Sequence, residues 1–169
     1  MKEANIEELS FNPFTIFSEK WMLLCAGDET AANAMTVSWG HLGSIWGGLG
    51  NATSIVYVRP QRYTRGFIET KDFYTLSVFL DGKRKELAYM GAHSGRDGDK
   101  MSACGLEYAY EDGIPYIKGA DMVFICRKQY VSQLKEEGFL SPGTVSRNYP
   151  DRDFHYVYVG NIEKVLVKD

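Results

Sequence analysis

Hydrophobic and polar positions alternate with a period of two along much of the chain, which is the pattern of half-buried β-strands. Residues 34–39 (AMTVSW) alternate strictly, and residues 52–59 (ATSIVYVR) are rich in β-branched side chains until Pro60 ends the run. Further strands are predicted at residues 21–26, 72–79, 121–134 and 154–168, the last as one strand or two. The pattern therefore predicts about six strands.

Helical spacing extends beyond a turn or two in only two segments, RGFIETK at residues 65–71 and GKRKELAYMGAH at residues 82–93. The regular strand–helix alternation of a doubly wound sheet is absent, which favours an antiparallel barrel or sandwich with a few helices packed on it. Asp112 and Gly113 lie between aromatic runs and predict a hairpin turn. Because no repeat or linker divides the sequence, residues 1–169 are expected to form a single domain.

Composition limits the class of ligand. With 169 residues, 44% of them hydrophobic and 14% aromatic, the chain can bury a substantial core. Its formal net charge of −3 provides no basic field for a nucleic-acid backbone. A cationic cluster in this chain is therefore expected to bind a small anion, and nucleic acid is not an expected partner.

Cysteine usage and the N-terminus indicate the compartment. The three cysteines form no CxxC or CxxxC pair, and their odd number argues against a disulfide framework. The first 14 residues carry acidic side chains where a signal peptide is apolar, and no run approaches the roughly 18 apolar residues of a membrane span. We therefore expect a cytoplasmic protein with reduced thiols and no membrane partner.

Several catalytic motifs are missing from the sequence. It contains no GxGxxG at a strand–helix junction, no GxxxxGK[ST] and no GxSxG, which argues against a Rossmann site, a P-loop and a nucleophile elbow. The three histidines, His41, His93 and His155, are scattered and lack zinc-ligand spacing. No metal site is predicted.

The alternation in NAMTVSW puts two hydroxyls on one strand face. Thr36 and Ser38 point one way, and Met35, Val37 and Trp39 point the other way. Such a face could bind the polar edge of a ligand, or it could be a solvated surface that uses threonine for its β-propensity. Both interpretations stay open at this point.

The turn RPQRYT, residues 59–64, is a second candidate. Arg59 closes a strand, Pro60 turns the chain, and Thr64 lies near a helix start, where its hydroxyl can cap the helix and free N–H groups can face an anion. The alternative is an ordinary proline turn with two solvated arginines.

The segment SGRDGDK, residues 94–100, is the third. Ser94, Arg96 and Lys100 are a donor set suited to phosphate, and a helix is expected to begin near Asp97. A polar loop that only caps that helix is the alternative interpretation.

The order of the segments NAMTVSWG, RPQRYT, FIETKDFYTLSVF, SGRDGDK and HYVYVGNIEKV resembles the flavin reductase-like family of FMN-binding split barrels, especially its flavoredoxin-like branch. The resemblance extends from about residue 21 to the C-terminus. It implies a mainly β fold, a six-stranded antiparallel Greek-key split barrel with a few short flanking helices. It also implies a homodimer with FMN bound at or near the subunit interface.

The resemblance assigns the flavin ring to the strand that holds Thr36, Ser38 and Trp39. Hydroxyl and backbone groups there would bind the polar edge of the ring, and Trp39 or the nearby loop would cover its apolar part. His155 matches a late histidine that lies near the flavin or nicotinamide in some relatives, although a lone histidine at a strand start can also be structural. The glycine-rich loop at residues 43–51 departs from the bulkier loop of relatives, which leaves the covering of the ring open.

The resemblance assigns the remaining cofactor contacts to two turns. Arg59 and Thr64 would reach the phosphate and the ribityl chain, and Ser94, Arg96 and Lys100 would close over the phosphate. No residue is assigned as a catalytic acid or base, because the flavin would carry the redox chemistry.

Three functions are compatible with this site. The first is an NAD(P)H-dependent flavin (FMN) reductase, with NADH or NADPH as co-substrate stacking on an exposed flavin face. The second is an FMN electron carrier that exchanges electrons with a redox protein partner. The third is a flavin-binding protein without turnover of its own. The resemblance favours the first.

Overall fold

The computed structural model describes residues 1–46 and 51–169. The strands within these ranges are β1 (Lys2–Glu3), β2 (Met22–Gly27), β3 (Ala32–Val37), β4 (Gly40–Ser44), β5 (Ala52–Val58), β6 (Phe73–Val78), β7 (Tyr108–Glu111), β8 (Ile114–Ile117), β9 (Met122–Gln133) and β10 (Tyr156–Val167). The α-helices are α1 (Tyr63–Thr70), α2 (Arg84–Ala92), α3 (Lys100–Ala103) and α4 (Pro142–Asn148). Shorter helical turns lie at Ile6–Glu8, Ile16–Lys20 and Glu136–Gly138.

Eight of the strands form one antiparallel sheet. Its order is β3-β2-β6-β9-β10-β5-β4, with β1 also paired to β10, while β7 and β8 form a separate hairpin. The six strands predicted from the sequence correspond to β2, β3, β5, β6, β9 and β10, and the last is one bulged strand. The sequence pattern missed β1 and β4 because both are short and mostly exposed.

The predicted loop at residues 43–51 is partly wrong. Gly43 and Ser44 belong to β4 and pair with Thr53 and Ala52 of β5. The rest of that prediction falls largely on residues 47–50, which lie outside the described residues.

The central strands are buried on both faces. Met22 and Leu24 of β2 join one core cluster, and Leu23 and Cys25 join the other, where the β7–β8 hairpin and α2 cover the sheet. This explains why β2 is a continuous apolar run, whereas strands that are buried on one face alternate.

Backbone geometry at Trp21 shortens β3. Trp21 has φ +63°, so β2 begins only at Met22, which pairs with Val37 at the end of β3. The prediction that Ser38 lies in this strand is therefore wrong. Ser38 follows β3 directly.

The hairpin prediction is confirmed. Asp112 and Gly113 join β7 to β8 with φ +51° and +77°, the positive pair that a type I′ turn requires. In the described part of the chain, no helix has the length and apolar character needed to cross a membrane.

Candidate functional site

Two neighbouring cavities lie where the outer edge of β3 meets α1, α2 and the loop before α3. The larger, about 430 Å³, is the Lys100 cavity, and the smaller, about 230 Å³, is the Trp39 cavity. Met35 and Arg62 line both, so the two cavities are adjoining compartments of one groove. Every residue that the sequence singled out lines one of them: Thr36, Ser38, Trp39, Arg59 and His155 line the Trp39 cavity, and Thr64, Ser94, Arg96 and Lys100 line the Lys100 cavity.

Three cations line the Lys100 cavity and are bonded to backbone carbonyl groups. Arg62 donates to the carbonyl oxygen of Gly91 at 2.6 Å, and Arg96 donates to that of Gln61 at 3.1 Å. Lys100 donates to two carbonyl oxygens, both at 3.0 Å. Among the described residues, no carboxylate forms a salt bridge with any of these three cations. Asp97 is the one carboxylate among the lining residues, so three cations against one anion leave the cavity with a net positive charge that an anionic ligand can neutralise.

Lys100 is the most deeply buried of these cations. Its side chain is enclosed and bonds to the carbonyl oxygens of Met90 and His93, which ties the end of α2 to the start of α3. Burial, together with the charge of Arg62, lowers the pKa of Lys100 to about 8. Burial and the charge of Arg59 likewise lower the pKa of Arg62. The positive charges of Lys100, Arg62 and Arg59 repel one another, which favours the binding of an anionic ligand between them.

A tight contact shapes the wall of the Lys100 cavity. Asn33 donates from Nδ2 to the hydroxyl of Thr64 at 2.7 Å, and both side chains are buried. A Cβ atom built on Gly95 would lie 2.2 Å from Oδ1 of Asn33, so only glycine lets the loop approach this closely. The chain thus forms a polar cradle at this point.

The prediction that the hydroxyl of Thr64 caps α1 is wrong. The hydroxyl of Thr64 accepts from Asn33, and α1 begins after Arg62 without a side-chain cap. Tyr63 and Thr64, the first two residues of α1, line the cavity. N–H groups of the first helical turn, which have no intrahelical acceptor, therefore lie at its wall.

The start of α3 also differs from the prediction. The helix begins at Lys100 and not near Asp97, because Gly98 has φ +150° and interrupts helical geometry. Asp99 caps it by accepting from the backbone N–H of Ser102 at 3.1 Å. The segment at residues 94–100 therefore has two roles. Asp99 caps α3, and Ser94, Arg96 and Lys100 line the Lys100 cavity.

The edge of β3 forms one wall of the Trp39 cavity. Residues 35–39 all line it, and β3 is the outermost strand on its side of the sheet, so backbone groups on its free edge can bind a ligand. Thr36 donates its hydroxyl hydrogen to the carbonyl oxygen of Leu87 at 2.5 Å, which anchors β3 to α2. Trp39 is 43% exposed and stands at the rim.

Arg59 lines the Trp39 cavity, together with Arg62, and does not line the Lys100 cavity. Its guanidinium group forms an ion pair with Asp153, donates to the carbonyl oxygen of Asn148 at 2.9 Å, and lies 5.3 Å from the ring centroid of Tyr149. These three partners belong to the segment between β9 and β10. Arg59 therefore fastens that segment beside the cavity.

His155 lies against Trp39, with ring centroids 4.9 Å apart. Its Nδ1 is 2.8 Å from the hydroxyl of Tyr149. Burial, with a further contribution from Arg59, lowers the pKa of His155 to about 4. The imidazole is therefore neutral near neutral pH.

The sequence interpretation missed Asn33, Arg62 and Tyr149. Arg62 lies inside the RPQRYT turn that was singled out, and Asn33 begins the NAMTVSW segment, so both were next to selected residues. Arg62 was one of the two arginines that the alternative interpretation left in solvent, but it is half-buried between the cavities. Tyr149 carries no local signal, because it is the irregular segment between α4 and β10, and not a regular spacing, that brings it to His155 six residues later.

Comparison with known sequences identifies one family. The sequence model of the flavin reductase like domain matches residues 14–169. No curated protein matches the sequence.

Solved structures share the fold at low sequence identity. The FMN-binding protein from Thermus thermophilus with bound p-hydroxybenzaldehyde has TM-score 0.68 and 17% identity, over 100% of this chain and 83% of that one. Flavoredoxin from Methanosarcina acetivorans has TM-score 0.67 and 21% identity, over 100% and 77%. The Streptomyces globisporus NADH:FAD oxidoreductase in complex with NAD and FAD fragments has TM-score 0.62 and 14% identity, over 88% and 74%. The predicted split-barrel class is confirmed, although the strand count is larger than expected.

Proposed function

This chain belongs to the flavin reductase-like family, and on that premise we propose that it binds FMN and transfers hydride or electrons between NAD(P)H and flavin. The observation that carries the proposal is the continuity of the Lys100 and Trp39 cavities through Met35 and Arg62. One compartment suits an anion and the other suits the edge of a planar ring. A flavin mononucleotide has these two ends.

The donor set of the Lys100 cavity fits the phosphate of FMN. Arg62 and Arg96 each use one guanidinium N–H on a backbone carbonyl group and keep others for a ligand. Lys100 uses two of its three N–H groups in the same way and keeps one. The start of α1 and the backbone around Gly95 complete the cradle.

The Trp39 cavity fits the flavin ring. The free edge of β3 offers backbone donors and acceptors, and Ser38 and Tyr57 add hydroxyl groups. The charges of Arg59 and Arg62 favour an electron-rich ring in this compartment. Trp39 at the rim leaves the groove accessible from one side, where a nicotinamide could approach.

When bound, FMN supplies the redox chemistry, since its N5 accepts a hydride and the ring passes electrons on. The residues of the chain bind the phosphate, orient the ring and set the electrostatic potential around it. None of them needs to transfer a proton for this function.

The first test is an absorbance spectrum of the purified, dialysed protein, followed by anaerobic addition of NADH and then NADPH. A flavin spectrum that bleaches rapidly supports the reductase. A flavin spectrum that persists until dithionite is added overturns NAD(P)H turnover and favours the electron carrier with a protein partner. A protein that carries no flavin and does not bind added FMN overturns the proposal.

We also propose that the chain forms a homodimer. Trp46 and Tyr130 pack edge to face with centroids 6.2 Å apart, and each of these two residues is at least half exposed, so together they form an apolar surface. Covering this surface with a second copy would remove it from water. Analytical ultracentrifugation of the wild type and of Tyr130→Lys tests this: a dimer that Tyr130→Lys dissociates is expected, and a monomeric wild type contradicts it.

A further inference from the structure

Tyr149 and His155 form a buried pair that the proposed function leaves unused. The hydroxyl of Tyr149 lies 2.8 Å from Nδ1 of His155, and the two side chains are only 3% and 7% exposed. Tyr149 directly follows α4, and His155 directly precedes β10. This hydrogen bond therefore links the end of α4 to the start of β10.

The hydroxyl hydrogen of Tyr149 determines the direction of this bond. Among the described residues, the hydroxyl has no other hydrogen-bond partner. If Nδ1 carried the imidazole hydrogen and donated it to Tyr149, the hydroxyl hydrogen would be buried without an acceptor, which is costly. The hydroxyl therefore donates to Nδ1. The single hydrogen of the neutral imidazole of His155 is then on Nε2.

The imidazole of His155 borders the Trp39 cavity, whereas Tyr149, which occupies its Nδ1, does not line this cavity. Nε2 is therefore the ring nitrogen that is left for a ligand there. Trp39 lies against the imidazole ring, and Tyr57 meets it edge to face at 6.4 Å. Arg59, whose charge helps lower the pKa of His155, is engaged with Asp153. These contacts hold the ring on several sides and leave Nε2 as its free nitrogen.

We propose that Tyr149 is a positioning residue that holds His155 as the Nε2–H tautomer and so presents a fixed neutral donor to the Trp39 cavity. The inference rests on the proposed function, because the acceptor is the polar edge of the flavin ring. A fixed donor stabilises the ring more when reduction has increased its negative charge. The pair therefore raises the midpoint potential of bound FMN.

The tautomer is tested without flavin, by ¹⁵N NMR of the histidine-labelled apoprotein, with His155→Gln used to assign the resonances. In the wild type, Nδ1 of His155 is expected to be pyridine-like and Nε2 pyrrole-like. Tyr149→Phe should convert this into a mixture of tautomers. Tyr57→Phe is the matched control, since it removes a hydroxyl from the same surroundings and should leave the tautomer unchanged. A pyrrole-like Nδ1 in the wild type, or no response to Tyr149→Phe, overturns the proposal.

The effect on the cofactor is tested by the midpoint potential and the dissociation constant of FMN. Tyr149→Phe should lower the potential and weaken FMN binding about fivefold, the effect of one neutral hydrogen bond. His155→Gln keeps an amide N–H near the position of Nε2 and should retain most of the wild-type potential, whereas His155→Asn should not. Equal potentials in all four proteins overturn the positioning role. A wild type that binds no FMN overturns the proposed function, and the NMR experiment still decides the tautomer.

Discussion

A Cβ atom on Gly95 would lie 2.2 Å from Oδ1 of Asn33, well inside van der Waals contact. Asn33 cannot retreat easily, because it is buried and its Nδ2 group donates to Thr64 at 2.7 Å. The loop before α3 is therefore held against the start of α1 by a contact that only glycine permits. This contact shapes part of the wall of the Lys100 cavity.

Gly95→Ala is expected to weaken FMN binding by about tenfold or more, because the loop or Asn33 must move and the cradle opens. The measurement is quenching of FMN fluorescence on titration with apoprotein. Gly66→Ala is the matched control: Gly66 lies in exposed helix with nothing within 4 Å of its Cβ position, and the change should stabilise α1 by about 0.5 to 1 kcal/mol. Equal FMN affinities in the two variants would contradict this account of the wall.

Arg96→Met is expected to separate the binding of FMN from that of riboflavin, which lacks the phosphate. Loss of one charge-assisted contact should weaken FMN binding about tenfold and leave riboflavin binding nearly unchanged. Arg127→Met is the control, since Arg127 is exposed and paired with Glu163 away from the groove. If Arg96→Met weakens both ligands equally, the Lys100 cavity does not bind the phosphate.

Lys100 should make FMN binding depend on pH in the alkaline range. Its pKa is lowered to about 8, so the free protein loses this charge as pH rises through that value. The protonated form binds an anion better, so FMN affinity should fall above about pH 8, by at most about tenfold per pH unit. Riboflavin affinity should stay flat over the same range. Parallel falls for the two flavins would exclude Lys100 as the cause.

Much of the fold is predictable because the strand signals are local. β3 and β5 are evident from alternation and β-branched residues, and the turn at Asp112 and Gly113 from its residue types. The boundaries depend on backbone geometry that the pattern does not encode. Positive φ at Trp21 shortens β2 and thereby ends β3 before Ser38, and Gly98 delays α3 to Lys100.

The sequence identified the segments that line the candidate site, but it did not identify the contacts that their side chains make. Thr64 and Ser94 do line the Lys100 cavity, as their residue types suggested for a donor set. Arg59, however, is drawn to Asp153, its ion-pair partner from a distant part of the sequence. Only tertiary packing determines that choice, so local sequence could not separate Arg59 from Arg62 as the cation that joins the two cavities.

The buried neutral imidazole of His155 should make the protein less stable as pH falls. Its folded pKa is about 4, below the ordinary value of 6.5, so between these values the unfolded chain binds a proton that the folded protein does not. This contribution is complete above pH 6.5 and is lost as pH falls toward 4, amounting to about 3 kcal/mol. The free energy of unfolding, measured by urea titration at several pH values, should decline less steeply in His155→Gln.

His41→Gln provides the control for that experiment, because His41 is exposed on β4 and makes no comparable buried contact. Its curve of unfolding free energy against pH is the reference for the loss of an exposed histidine. Carboxylates with lowered pKa that do not interact with His155, such as Asp28, also lose stabilising interactions in acid, but they contribute equally to all three proteins. The difference between the His155→Gln and His41→Gln curves therefore isolates His155, and parallel curves would mean that the folded protein admits a proton there.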